Sequence, residues 1–231
     1  HPLREETPSP ISPEIMNTKL LIQFISFLCS LSVLPAQKED SLTKFLPEDT
    51  HVARATLAGD SKRETGYNAL FMGHSFFWPA ANEVGKLTPE TTIKNHKQYL
   101  IRGGGKTGSA KFLWEIDKLR IDGQKQLDTK EIDLLVMVYR NPDNSRVEDF
   151  SRWFDYALSK NPKTTFMITQ SWSTHLHAVD NKRIEELRKG AYWMNENLIT
   201  KLRKKYPKNK ILFCPHMLAT YELITRFKKG E

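Results

Sequence analysis

One segment constrains the fold of this chain more than any other: the run Ile132-Asp-Leu-Leu-Val-Met-Val-Tyr139. It is almost continuously apolar, which is typical of a parallel strand whose two faces are both covered by helices. A strand on a solvated sheet would instead alternate apolar and polar residues. We therefore expect this segment to be a buried strand of an α/β domain.

The same alternation of a short apolar run and a longer segment of helical period recurs through most of the chain. We predict strands at Tyr67–Met72, Ile93–Ile101, Ile132–Tyr139, Thr164–Thr169 and Lys210–Cys214, and helices at Phe76–Lys86, Ser109–Leu119, Val147–Ser159, Asn181–Lys205 and Met217–Lys228. Strands that are each followed by a helix predict a three-layer α/β/α sandwich with a five-stranded parallel sheet, as in flavodoxin-like folds. Ligands of such sheets bind at the carboxyl ends of the strands.

The N-terminal part has the layout of a signal peptide. An apolar run from Leu20 to Leu34 follows the short cationic start Met16-Asn-Thr-Lys19 and precedes Pro35-Ala36. The run is shorter than the roughly 20 apolar residues that span a membrane. We predict a secreted or periplasmic protein with a signal peptide at about Met16 to Ala36 and no stable membrane anchor after cleavage. Residues 1–36 then form an upstream extension plus signal peptide, 37–65 a polar N-terminal arm, and 66–231 the α/β domain.

Charge and cysteine content narrow the class of partner. Lys and Arg exceed Asp and Glu by eight, but they are scattered along the chain, which favours a solvated basic surface over a nucleic-acid interface. An anionic substrate or matrix remains open. The two cysteines, Cys29 and Cys214, exclude a disulfide framework. We predict no cofactor and no metal site.

The first predicted strand runs into Phe71-Met-Gly-His-Ser-Phe-Phe-Trp78. Gly73 permits a sharp turn, and Ser75 falls at a helix start, where backbone N–H groups can face a developing oxyanion. This stretch resembles the first block of the SGNH (GDSL-like) hydrolases, in which Gly-Asp-Ser or Gly-Asn-Ser ends a strand. The resemblance implies that Ser75 is a nucleophile, although His74 stands where the family carries Asp or Asn.

The second predicted strand ends in Ile101-Arg-Gly-Gly-Gly-Lys-Thr-Gly-Ser109. A glycine loop between a strand and a helix presents N–H donors, as in oxyanion holes and phosphate cradles. The loop resembles the family's second block, which implies that Gly105 donates to the oxyanion, with Gly103 and Gly104 as the neighbouring alternatives. Gly105-Lys106-Thr107 also mimics the end of a P-loop, but Leu100 replaces the required first glycine.

The central strand is followed by Tyr139-Arg-Asn-Pro-Asp-Asn144. The family's third block has an asparagine here whose side-chain amide is a further oxyanion donor, which the resemblance assigns to Asn141, with Asn144 as the alternative. A turn-forming Asn-Pro pair explains Asn141 equally well. The resemblance covers the chain from Gly66 onward.

A serine nucleophile needs a base, and the family's Asp-x-x-His block is not found. His216 follows the fifth strand but has no Asp three residues before it. His175 and His177 follow the fourth strand and could line the cleft, or bind a metal for which no third ligand is evident. The resemblance places the missing block just beyond Glu231, so we expect the natural protein to continue.

The resemblance implies a secreted ester hydrolase that acts by acyl transfer through Ser75, on acyl or acetyl esters of small molecules or polysaccharides. One alternative is a non-catalytic carbohydrate-binding or scaffold protein on the same fold, whose tryptophans stack on sugars. Another is a flavodoxin-like domain that binds a phosphorylated ligand through the loop Gly103–Gly108.

Overall fold

The computed structural model describes residues 65–91, 93–170 and 181–216, together with Ala219 and Arg226. All of them belong to the compact unit Ala36–Glu231. The predicted signal peptide and almost all of the N-terminal arm lie outside the described residues. Within the described residues, no helix combines the length and the apolar character that crossing a membrane requires.

A parallel sheet forms the middle of the domain. Its strands are β1 (Asn68–Gly73), β2 (Lys97–Arg102), β3 (Leu134–Tyr139), β4 (Thr165–Gln170) and β5 (Ile211–Cys214), in the order β2-β1-β3-β4-β5. Every neighbouring pair is parallel. The chain passes from β1 to β2 and then crosses back over β1 to β3, so the winding direction reverses at β1. Sheets of this kind bind ligands at that reversal.

Helices cover both faces of the sheet. They are α1 (Trp78–Leu87), α2 (Ala110–Glu115), α3 (Asp117–Leu127), α4 (Val147–Lys160), α5 (Asn181–Met194) and α6 (Thr200–Lys205). Phe77 and Ala81 at α1 pack on one face, against Phe71 and Val136. The other helices pack on the opposite face, where the largest core cluster lies. The predicted three-layer α/β/α sandwich is confirmed.

Two predicted elements follow their sequence patterns closely. All residues of β3 from Leu134 to Val138 are buried, as an apolar run between two helical layers should be. The apolar residues of α4 are also buried: Phe150, Trp153, Phe154 and Ala157 lie in the core, and Leu158 packs against it. That helix ends at Lys160, one residue beyond its predicted end at Ser159.

Other predicted bounds were wrong. The second strand begins at Lys97 and not at Ile93, because Asn95 has a φ of 59° and interrupts extended backbone. The single predicted helix Ser109–Leu119 is two helices, because Ile116 is extended, with φ −87° and ψ 111°. Ser109 does precede α2, but its hydroxyl donates to the carbonyl of Lys106 at 2.9 Å and does not cap the helix.

The predicted helix Asn181–Lys205 is present with an irregularity. A π-helical segment, Asn195–Ile199, joins α5 to α6. Asn195, Leu198 and Ile199 in this segment are buried. The wider turn thus keeps one face of the segment in the core.

Candidate functional site

The turn between β1 and α1 is held tightly at Gly73. Its carbonyl accepts hydrogen bonds from the N–H of Gly103 and from the indole N–H of Trp78, both at 2.9 Å. A Cβ at Gly73 would lie 2.6 Å from Cγ2 of Val138 and 2.7 Å from Cδ1 of Phe77. Only glycine fits here, so β1 is fixed against both of its neighbouring strands at the point where it ends.

Ser75 is exposed at this carboxyl edge, in the turn that leads into α1. The turn is closed by a hydrogen bond from the N–H of Phe77 to the carbonyl of His74, at 2.9 Å. The hydroxyl is therefore accessible to a substrate and stands directly before the first turn of a helix. This is the placement that a nucleophile at the end of the first strand requires.

His74 is buried, with 4% of its surface exposed, and neither ring nitrogen has a hydrogen-bond partner among the residues that the structure describes. Burial, aided by the charge of Arg140, lowers the pKa of His74 to about 4. The imidazole is therefore neutral near pH 7.

The glycine loop after β2 folds against the serine turn. Its last four residues, Gly105–Gly108, form a 3₁₀ turn. A Cβ at Gly108 would lie 2.5 Å from the N, Cα and Cβ of His74, and a Cβ at Gly103 would collide with Gly108. Gly108 therefore provides the contact with the serine turn. The sequence analysis included Gly108 only as the end of the loop Gly103–Gly108 and did not predict this contact.

Gly105 lies at the exposed start of the 3₁₀ turn, with a φ of 25°. The N–H of Gly104 is engaged by Oγ1 of Thr107 at 2.7 Å, and that of Gly108 by the carbonyl of Gly104 at 3.1 Å. The N–H of Gly105 has no acceptor within the described part of the chain. It is available as a donor, and its role in binding an oxyanion stays a prediction.

Asn141 is the second residue after β3, and its side chain stabilises the next turn. Its Oδ1 accepts the N–H of Asn144 at 3.1 Å, which caps the 3₁₀ turn Pro142–Asn144. The turn-forming explanation of Asn141 is thus confirmed. Its Nδ2 makes no hydrogen bond to a described residue, so the donor that the resemblance requires is also available. The alternative, Asn144, is buried.

The three predicted site residues lie on loops that follow neighbouring strands. β1 lies between β2 and β3, so Ser75 has the loop of Gly105 on one side and that of Asn141 on the other. The helix α2 contacts β1, β3 and the turn Pro142–Asn144, which ties the second loop to the third. The arrangement offers an exposed hydroxyl and two uncommitted N–H donors at one edge of the sheet.

The histidines that could serve as a base are placed less favourably. His216 follows β5 and is buried, and burial lowers its pKa to about 4. Three strand spacings separate β5 from β1, about 14 Å in total. His216 thus follows a strand that is not a neighbour of β1 in the sheet. His175 and His177 lie outside the described residues, and in the described part no group of three or more His, Cys, Asp or Glu could hold a metal ion.

The tryptophans differ in exposure. Trp153 lies fully in the core and donates its indole N–H to the carbonyl of Ala110 at 3.2 Å. Trp193 on α5 is 43% exposed, and its neighbour Tyr192 is 51% exposed. The ring of Trp193 lies 6.5 Å from that of Tyr139, the last residue of β3. An exposed aromatic surface therefore lies beside the same carboxyl edge.

No protein-family model matches this chain, and no curated protein matches it. Among solved structures, it is similar to the periplasmic domain of a lipopolysaccharide acetyltransferase from Salmonella ser. Paratyphi A. The two are 8% identical, the match covers 93% of this chain and 97% of the other, and the TM-score is 0.44. A likeness this distant carries no argument about activity or substrate.

Proposed function

We propose that this protein is a serine ester hydrolase that acts by acyl transfer through Ser75. The observation that carries the proposal is the exposed hydroxyl at the tip of β1, between two neighbouring loops that each offer an uncommitted N–H donor. Such donors at a carboxyl edge suit the stabilisation of an oxyanion. The resemblance of these loops to the SGNH blocks supports the same chemistry.

In the proposed reaction, Oγ of Ser75 attacks the carbonyl carbon of an ester while a base, which the family resemblance implies is a histidine, takes the hydroxyl proton. The carbonyl electron pair moves to oxygen, and the N–H groups of Ser75 and Gly105 and the Nδ2 of Asn141 bind that oxyanion. The alcohol leaves with the proton, and water then releases the acid from the acyl-enzyme. Each oxyanion donor would contribute about 10²-fold to 10³-fold in turnover.

The substrate class belongs to the same proposal. We infer acyl or acetyl esters of carbohydrates, outside the cytoplasm, from the family resemblance and from the signal-peptide pattern at Met16 to Ala36. The exposed aromatic residues Tyr192 and Trp193 beside the edge support a sugar-containing substrate, because aromatic faces stack on sugar rings.

The test compares turnover of p-nitrophenyl acetate by the full-length protein and two variants. We expect Ser75→Ala to lower kcat by at least about 10³-fold, because the nucleophile is lost. Ser159→Ala is the matched control: Ser159 is also exposed, but it lies in the last turn of α4, away from the loops that follow the strands. Equal rates for the wild type and Ser75→Ala would end the proposal.

A second candidate is a carbohydrate-binding protein without catalysis, which the exposed Trp193 and Tyr192 favour. It predicts that soluble oligosaccharides quench tryptophan fluorescence, and that ester turnover does not depend on Ser75. The same preparations of the wild type and Ser75→Ala therefore distinguish the two candidates.

A further inference from the structure

Three cationic residues lie at the strand ends and loops beside the candidate site. Arg102 ends β2, Lys106 lies in the glycine loop and Arg140 follows β3, and all three are exposed. Arg102 is in register with Gly73, two residues before Ser75. Because β1 lies between β2 and β3, these cations stand on both sides of Ser75. We call Arg102, Lys106 and Arg140 the basic rim.

The rim charges are not compensated by carboxylates of described residues. Arg102 donates to Oδ1 of Asn82 at 3.2 Å and its guanidinium lies 5.6 Å from the Trp78 ring centre. Nζ of Lys106 lies 4.7 Å from the ring centre of Phe112. Neutral partners thus hold these side chains in place without neutralising them. By contrast, the nearby Arg146 pairs with Asp149.

The positive charge of the rim acts on a buried residue of the site, His74. His74 is buried, its two ring nitrogens make no hydrogen bond within the described part of the chain, and Arg140 is close enough for its charge to act on the ring. The neutral groups available at the edge, the N–H of Gly105 and Nδ2 of Asn141, are donors. One carboxylate, that of Asp143, lies in the turn after β3 and is exposed. Together with burial, which is the larger cause, its charge raises the pKa of Tyr139. Cations and donors therefore dominate the described part of this edge.

We propose that the basic rim binds an anionic group of the substrate, so that Ser75 acts on esters of molecules that carry a carboxylate, sulfate or phosphate near the ester. The statement about esters rests on the proposed function; the statement about anion binding does not. A rim of like charges is costly unless a ligand neutralises it, and arginine and lysine bind oxyanions through charge-assisted hydrogen bonds.

The first test uses two esters that differ in charge: 4-acetoxybenzoate, which is anionic, and methyl 4-acetoxybenzoate, which is neutral. Each enzymatic rate is divided by the uncatalysed rate of the same ester. At low salt we expect a KM about tenfold lower for the anionic ester, and we expect this preference to shrink as salt screens the rim. The preference should appear in KM and leave kcat little changed.

Variants assign the preference to the rim. Arg140→Gln should raise the KM of the anionic ester about tenfold, and Arg140→Lys, which keeps the charge, should recover most of the loss. Arg152→Gln removes an equal charge from an exposed position of α4 and should change neither ester. Ser75-dependent turnover with equal KM for both esters would overturn the anion inference and leave the proposed function standing.

A binding measurement separates the two proposals further. Sodium sulfate is titrated into the full-length protein while the imidazole proton signals are followed by NMR, with His74 assigned through His74→Gln. Sulfate at the rim should offset the charge of Arg140 and raise the pKa of His74, and it should do so more than sodium chloride at the same ionic strength. If no ester turnover depends on Ser75 but this shift occurs, the proposed function fails and anion binding stands. No shift at His74 refutes the rim as an anion site, whatever the KM values are.

Discussion

The contact between Gly108 and His74 allows a stringent test of the site geometry. A Cβ added at Gly108 would lie 2.5 Å from three atoms of His74, of which two, N and Cα, belong to the backbone. A side chain could rotate away from such a contact, whereas backbone cannot. Gly108→Ala must therefore push the glycine loop away from the serine turn.

The magnitude follows from the cost of overpacking, about 1–3 kcal/mol for an added methyl group in a well-packed site. We expect Gly108→Ala to lower the free energy of unfolding by about 2 kcal/mol. It should also lower ester turnover by about 10²-fold, because the N–H of Gly105 moves together with its loop.

Gly104→Ala is the matched control in the same loop. Gly104 has φ −88° and ψ 149°, and a Cβ there would meet only Oγ1 of Thr107, at 3.7 Å. This substitution fits the native backbone and should leave stability unchanged, or raise it by about 0.4–1 kcal/mol through the unfolded chain.

Urea denaturation gives the free energies of unfolding, and p-nitrophenyl acetate gives the turnover. If the Gly108→Ala protein is as stable and as active as the Gly104→Ala protein, the glycine loop does not pack on His74.

Two further predictions concern stability. His74 and His216 each have a pKa of about 4 in the fold, whereas histidines in an unfolded chain titrate near 6.5. The unfolded state therefore binds more protons between these pH values. The contribution of each histidine to stability is complete above pH 6.5 and falls as the pH drops toward 4, by up to about 3 kcal/mol per histidine. Thermal melts of the wild type and His216→Gln between pH 4 and 7 check this, and an equal dependence of Tm on pH in both proteins would contradict it. The hydroxyl of Tyr206 donates to Oδ1 of Asp155 at 2.7 Å. Tyr206→Phe should therefore lower the free energy of unfolding by about 1 kcal/mol in urea denaturation. The control Tyr192→Phe, at an exposed site, should leave it unchanged.

Much of the site could be inferred from local sequence. A glycine at a strand end, followed by a serine at a helix start, predicts an exposed hydroxyl at the carboxyl edge, and Ser75 is exposed there. The turn at Asn141 also followed from Asn-Pro alone. The chemical roles of Ser75, Gly105 and Asn141 stay predictions.

Other features of the site depend on residues distant in sequence. Nothing local indicates that Gly108 rests on His74, since the two are brought together by the pairing of β1 with β2. That the imidazole of His74 finds no hydrogen-bond partner among the described residues is likewise a property of its surroundings. Sequence patterns report a residue's own conformational preference and do not report what it meets across the fold.

The same division holds for the fold. Apolar runs and helical periods in the sequence determined the α/β class and the five parallel strands, because burial on two faces or on one stripe leaves a periodic signature. Only the tertiary structure decided that the polar segment Asp117–Leu127 is a helix. Its Gly123 allows Trp153 and Met72 to approach, since a Cβ there would lie 2.8 Å and 2.9 Å from their side chains. A close approach of this kind is set by how the layers dock, and docking leaves no period in the sequence.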